Sequence, residues 1–193
     1  MPRLWSDTIR AHRESVRDAI LDAVAALTFE RGLSAVTMSE VAERSGIGRA
    51  TLYKYFPDVE SMLIAWHERQ VEAHLDHLVA VRDRVRGSAG DALAAVLSAY
   101  ADMSRQDHGG EWAALLHRGP HMPRAHERLR SFVRDLVAEG ARAGDLRDDV
   151  APDELAVYCL HALSAAGGLT SRAAVRRLVD VTLTGLRRHP PAG

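Results

Sequence analysis

Residues 46–56 read GIGRATLYKYF. Two glycines around a single isoleucine interrupt a helical pattern. The eight residues that follow, Arg49 to Phe56, hold an arginine, a threonine, two tyrosines and Lys54, the only lysine in a chain of 193 residues. A helix meant only to fill a core would not gather positive charge and hydroxyls so densely, so the question is what holds this segment and what it faces. Nine residues upstream of Gly46, Thr37-Met-Ser-Glu40 has the T-x-x-E spacing of a capping box, in which the threonine hydroxyl accepts from a free backbone N–H while the glutamate reaches back to the cap. That spacing predicts a short helix ending near Arg44, a turn over Ser45–Gly48, and a further helix opening at about Arg49.

Helices of about seven residues are unstable alone in water and must be held by packing. Val41, Ile47 and Leu52 are spaced to meet the apolar side of a preceding helix, predicted over roughly Ser15 to Arg31. Ile20, Leu21, Val24, Leu27 and Phe29 would form its buried side and Gly32 its stop. Ser6 is an alternative cap for an earlier start, since Ile9 and Val16 prolong the apolar stripe; that leader also carries Arg3, Arg10, Arg13 and Arg17. Three such helices make a helix-turn-helix unit. If Leu52 points inward, Arg49, Thr51, Tyr53 and Lys54 project elsewhere. Between Arg44 and Tyr55 stand three basic residues and no acid, a local balance of 3 − 0 = +3. Arginine can grip guanine O6 and N7 in a fork, hydroxyls can bond phosphates or base edges, and lysine can neutralise phosphate; Gly48 would leave room for close backbone approach.

The whole chain is not basic: 25 Lys and Arg stand against 26 Asp and Glu, with a pI near 6.8. Nucleic-acid affinity must therefore be local, and an architectural protein that coats DNA through a basic surface throughout is disfavoured. With 47% hydrophobic residues the chain can bury a sizeable core. The single cysteine, Cys159, cannot form an internal disulfide, and no signal-peptide pattern or run of 18 apolar residues occurs. A cytoplasmic protein with no membrane span is the expectation. Apolar residues recur at helical spacing almost throughout, without strand-like alternation, so an all-α fold of about nine helices is predicted.

Residues 17–63 resemble the DNA-binding domain of the TetR family of bacterial transcriptional regulators, whose pattern runs I-L-x-A-A, F-x-x-x-G, T-x-x-x-I-A, A-G-V-S-x-G-T-L-Y-x-H-F and then K-E-x-L. By that resemblance Thr37, Gly48, Arg49, Thr51, Tyr53, Lys54 and Tyr55 occupy DNA-touching positions. This chain departs from the pattern at Gly48 (usually serine), Ala50 (usually glycine), Tyr55 (usually histidine) and Val59 (usually lysine). The resemblance implies a ligand-responsive repressor that binds a palindromic operator as a homodimer and is released by a small-molecule effector.

The expected organisation is a DNA-binding domain over 1–57, a ligand-binding and dimerisation domain over 58–188, and a disordered tail over 189–193. Asp58 can cap a long fourth helix reaching about Val85, with Met62, Trp66, Leu75, Leu78 and Val85 inward. Five further helices should follow. The last two are apolar around more than one stripe, and with the resemblance they are expected to form the homodimer interface. Trp66, Tyr100, Met103, Trp112, Leu116, Phe132 and Tyr158, with His117 and His161 as polar groups, are candidates for an effector pocket within a helical bundle. His108, His117, His121 and His126 fall within 19 residues and His74 and His77 lie three apart. No cysteine accompanies them, and they read as loop and surface histidines, so neither a metal nor another cofactor is expected. No glutamate has a histidine three residues later, as a di-iron carboxylate bundle would require, and no G-x-S-x-G elbow occurs; the chain does not read as an enzyme.

Overall fold

The computed structural model describes residues 2–32, 35–106 and 122–188. Among them are eight α-helices and no strand: α1 (Pro2–Arg31), α2 (Met38–Ser45), α3 (Arg49–Tyr55), α4 (Val59–Arg84), α5 (Ala89–Gln106), α6 (Met122–Ala143), α7 (Pro152–Ser164) and α8 (Arg172–Leu186). A 3₁₀ turn, Ala165–Gly168, follows α7, and a single antiparallel bridge joins Leu146 to Arg187. The chain divides into two compact units, with the boundary inside α4 between Gln70 and Val71.

The N-terminal unit is built on α1. This helix begins at Pro2 and not near Ser15, because no glycine or further proline interrupts it before Gly32 and because proline is tolerated in a first helical turn. Gly32, at φ 82°, ends it in the left-handed region, with its N–H donating to the Thr28 carbonyl at 2.9 Å. Ile20, Leu21, Val24 and Leu27 of α1 pack with Val41 and Ala42 of α2, Leu52 of α3, and Met62, Leu63 and Ala65 of α4. The first turns of α4 therefore belong to this core. Phe29 does not join it. Two residues beyond Leu27 on a helix, it points to the opposite side, is 65% exposed, and meets the edge of Trp66 at 5.8 Å between ring centroids. Asp58 caps α4 as expected, accepting from the Ser61 N–H at 2.7 Å. Arg69 ties α4 to α1 by pairing with both Asp18 and Asp22.

In the C-terminal unit, Leu78 of α4 joins Leu93, Val96 and Leu97 of α5, Val133, Leu136 and Val137 of α6, Leu155, Cys159 and Leu163 of α7, and Val175, Val179 and Leu186 of α8. Cys159 is fully buried, and desolvation pushes its thiol up to about 12. The side chain of Leu146 folds back onto α6 at Gly140, where an added Cβ would lie 2.5 Å from Leu146 Cδ1. On the outside of α7 and α8, Val157, Tyr158 and Val181 remain exposed, Val181 at 67%. The tail over 189–193 lies outside the described residues.

Candidate nucleic-acid interface

The capping box forms as its spacing predicts. Thr37 Oγ1 accepts from the Glu40 N–H, and a Glu40 carboxylate oxygen accepts from the Thr37 N–H at 2.9 Å and from its hydroxyl at 2.9 Å. Those bonds, with Arg31 alongside at 2.7 Å, hold the Glu40 carboxyl below the usual carboxylate range. At the other end of α2, Gly46 sits at φ 69°, and the Ile47 N–H donates to the Ala42 carbonyl, five residues back, at 3.2 Å. This is a Schellman closure, which needs a left-handed residue at the turn and explains the first glycine of the quoted stretch. The second has a different basis. Gly48 has an ordinary φ of −58°, and a Cβ there would meet nothing within 4 Å, so the fold itself does not demand glycine.

Gly48 opens α3 with its carbonyl, which accepts from the N–H groups of Thr51 at 2.8 Å and Leu52 at 2.9 Å. Leu52 is completely buried and fixes the rotation of this two-turn helix. Arg49, Ala50, Thr51, Tyr53 and Lys54 are exposed as a result, with Tyr53 at 51%. Tyr55 differs: it is half-buried and packs against the N-terminal core. Thr37 is exposed, with its hydroxyl engaged in the capping box. The structure also alters the local charge. Arg44 pairs with Glu30 near the end of α1, an acid outside the counted window, and the pairing holds the Glu30 carboxyl low. Arg49 and Lys54 are left as the positive groups of the exposed α3 face. Arg17 of the basic leader lies with its guanidinium 5.7 Å from the centroid of the Phe56 ring, where α3 ends, a contact that spacing alone does not reveal.

Trp66 packs against the N-terminal core, Tyr100, Met103 and Phe132 against the C-terminal core, and Tyr158 and His161 are exposed on α7. Tyr158 lies over Gly185, where a Cβ would come within 3.2 Å of its hydroxyl, and His161 Nδ1 is 2.9 Å from the Val157 carbonyl. Trp112, Leu116 and His117 lie outside the described residues, as do His108 and His121. Phe132 of the predicted set lines a groove of about 290 Å³ in the C-terminal unit, with Leu75, Val79, Glu127, Arg128 and Ser131. Arg128 at its rim pairs with Glu72. Among the described residues, no group of three His, Cys, Asp or Glu side chains could hold a metal, and no helix is long and apolar enough to cross a membrane.

A capped short helix, a glycine closure and an exposed basic helix on a buried leucine define a helix-turn-helix DNA-binding regulator. Residues 20–66 match the bacterial regulatory proteins of the tetR family, and residues 58–188 match the C-terminal domain of SbtR-like transcriptional regulators. The chain belongs to the TetR family of transcriptional regulators, which are not enzymes. An uncharacterized HTH-type transcriptional regulator of Mycobacterium bovis is 37% identical over 82 residues, covering 35% of this chain and 43% of that protein. The HTH-type transcriptional repressor KstR of Rhodococcus jostii is 43% identical over 56 residues, 29% of this chain and 26% of its own. The chain thus spans less than half the length of these curated relatives. A transcriptional regulator of the TetR/AcrR family from Thermobifida fusca shares the fold, with a TM-score of 0.74 at 24% identity over 89% of this chain and 98% of that one.

Proposed function

We propose that the protein is a cytoplasmic, ligand-responsive repressor whose homodimer grips a palindromic operator through two copies of α3. The observation that carries this reading is the exposed face of Arg49, Thr51, Tyr53 and Lys54, oriented by buried Leu52. Arg49 is the base-reading residue, Lys54 and the hydroxyls of Thr51 and Tyr53 bond phosphate or base edges, and Gly48 admits the backbone close to a phosphate. Thr37 and Tyr55 serve mainly by holding the head together. Exposed Val157, Tyr158 and Val181 on α7 and α8 supply an apolar face for a second copy, and two-fold pairing sets the recognition helices about one DNA turn apart.

The effector occupies the C-terminal domain over 58–188, for which the groove at Leu75, Val79 and Phe132 is a candidate entrance. It acts by binding one conformation better than the other; a difference of about 1–3 kcal/mol changes operator affinity about 5- to 150-fold. The test is a binding screen with DNA flanking the protein's own gene. Arg49→Ala and Tyr53→Phe should each weaken binding to the retained fragment, the arginine by about 1–3 kcal/mol, with far-UV helicity and dimer mass unchanged. Unaltered affinity in both variants overturns the contact assignment. Candidate small molecules are then screened for release of the bound fragment.

A further inference from the structure

Leu93, Leu97, Ala101 and Arg105 follow one another in steps of four along α5 and share one side of that helix. The first three are core of the C-terminal unit, without exposed surface. The fourth puts a charge on the same side. Arg105 is half-buried, and its Nε is sealed from solvent with no hydrogen-bond partner, the only side-chain nitrogen or oxygen in that condition among the described residues. The other half-buried arginines show what such a group ordinarily finds. Arg17 lies against the Phe56 ring, Arg69 holds Asp18 and Asp22, Arg130 holds Asp153, Arg134 holds Asp135, and Arg147 holds Asp149 and the Gly185 carbonyl. Arg105 forms no ion pair among the described residues, and Asp102, three positions back, is exposed and does not pair with it. The helix dipole favours a cation in the last turn of α5, but a side chain turned to solvent would serve it as well. It does not account for an idle donor on the core side, which is costly to keep from water. The helix end itself is closely packed: the Ser104 carbonyl faces Gly167 of the 3₁₀ turn, where an added Cβ would lie 3.2 Å from it.

We propose that Arg105 is the anion-recognition residue of the effector site in the C-terminal unit, and that the effector is a small organic acid. Its carboxylate takes the arginine side-on, accepting from Nε–H and from one Nη–H. A carboxylate is the matching chemistry because that edge of the guanidinium presents two parallel N–H groups, which a planar pair of oxygens satisfies together. The rest of the effector is apolar, since the stripe leading to the arginine is leucine and alanine and since Tyr100 and Met103 of the same helix pack on this core. The inference rests on the ligand-responsive reading above and names the class of ligand.

The test is made on the full-length protein with benzoate, phenylacetate, cyclohexanecarboxylate and octanoate, each beside its primary amide. Thermal unfolding and calorimetry compare wild type with Arg105→Met and Arg105→Lys. Methionine keeps an apolar stem and a good helix propensity while removing the donors. At least one acid should stabilise the wild type where its amide does not. Arg105→Met should bind that acid about 10- to 100-fold more weakly, and Arg105→Lys, a point charge without the fork, should fall between the two. The same acid should release the promoter fragment from wild type at a concentration that leaves Arg105→Met bound. Equal stabilisation of wild type and Arg105→Met overturns the proposal, and so does the absence of a response to all four acids. If Arg105→Met fails to fold, Arg105→Lys carries the comparison, and an affinity for the acid equal to that of wild type overturns the proposal. Sequence-specific DNA binding with no Arg105-dependent response removes the acid site and leaves the regulator reading standing. An Arg105-dependent response in a protein that prefers no duplex sequence keeps the acid site and sinks the regulator reading.

Discussion

Thr37 and Glu40 hold the start of α2 by a reciprocal pair of bonds, and the recognition helix inherits its position from them. Replacing an N-cap threonine with alanine costs about 1 kcal/mol, so Thr37→Ala should lower the free energy of unfolding by about that amount in urea at pH 7. The difference should depend on acidity. The Glu40 carboxyl titrates below its unfolded value, so its contribution is present above the ordinary carboxylate range and is lost as pH falls through the lowered folded value. The gap between wild type and Thr37→Ala should therefore narrow below about pH 4. A gap constant from pH 7 to pH 3 would show that Glu40 is not what the threonine supports.

At the scale of the helices, the core face of the head could be read from spacing alone. Ile20, Val24, Leu27, Val41 and Leu52 are buried as their periodicity predicts, because few other arrangements shelter two short helices. The exposed face of α3 was legible for the same reason. Phe29 was not, since hydrophobic character says little about which side of a helix a residue takes when it falls between stripes. The charge of the face was misjudged because Glu30, the partner of Arg44, lies 14 residues away in sequence. The start of α1 was open because Ile9 and Val16 prolong the apolar stripe only sparsely, along a stretch that is exposed from 7 to 15. Gly140 shows a requirement invisible before the fold is known: its missing side chain is the seat of Leu146. Gly140→Ala should force that leucine aside and destabilise the protein by about 1–3 kcal/mol despite alanine's better helix propensity. Thermal unfolding of this variant, beside Gly48→Ala as an unobstructed comparison, measures the cost.

For the molecule as a whole, the proposed pairing of two copies rests on the outer sides of α7 and α8. Val181 is the natural place to test it: at 67% exposure, a charge there disturbs little within one chain but would be trapped in a two-fold interface. Val181→Asp should elute as a monomer in light-scattering chromatography, keep its far-UV spectrum, and lose most affinity for a two-half-site fragment while binding a single half-site as wild type does. A variant that remains dimeric would place the partner surface elsewhere.

The sealed position of Cys159 has a practical corollary. Its depth and its reluctance to ionise make the native chain almost inert to maleimides and disulfide reagents at neutral pH. New thiols could be placed one at a time, for instance at exposed Ala11 or Ala50, and would carry fluorophores or spin labels without background. The surroundings of α1 and α3 could then be followed by label in an otherwise unmodified protein.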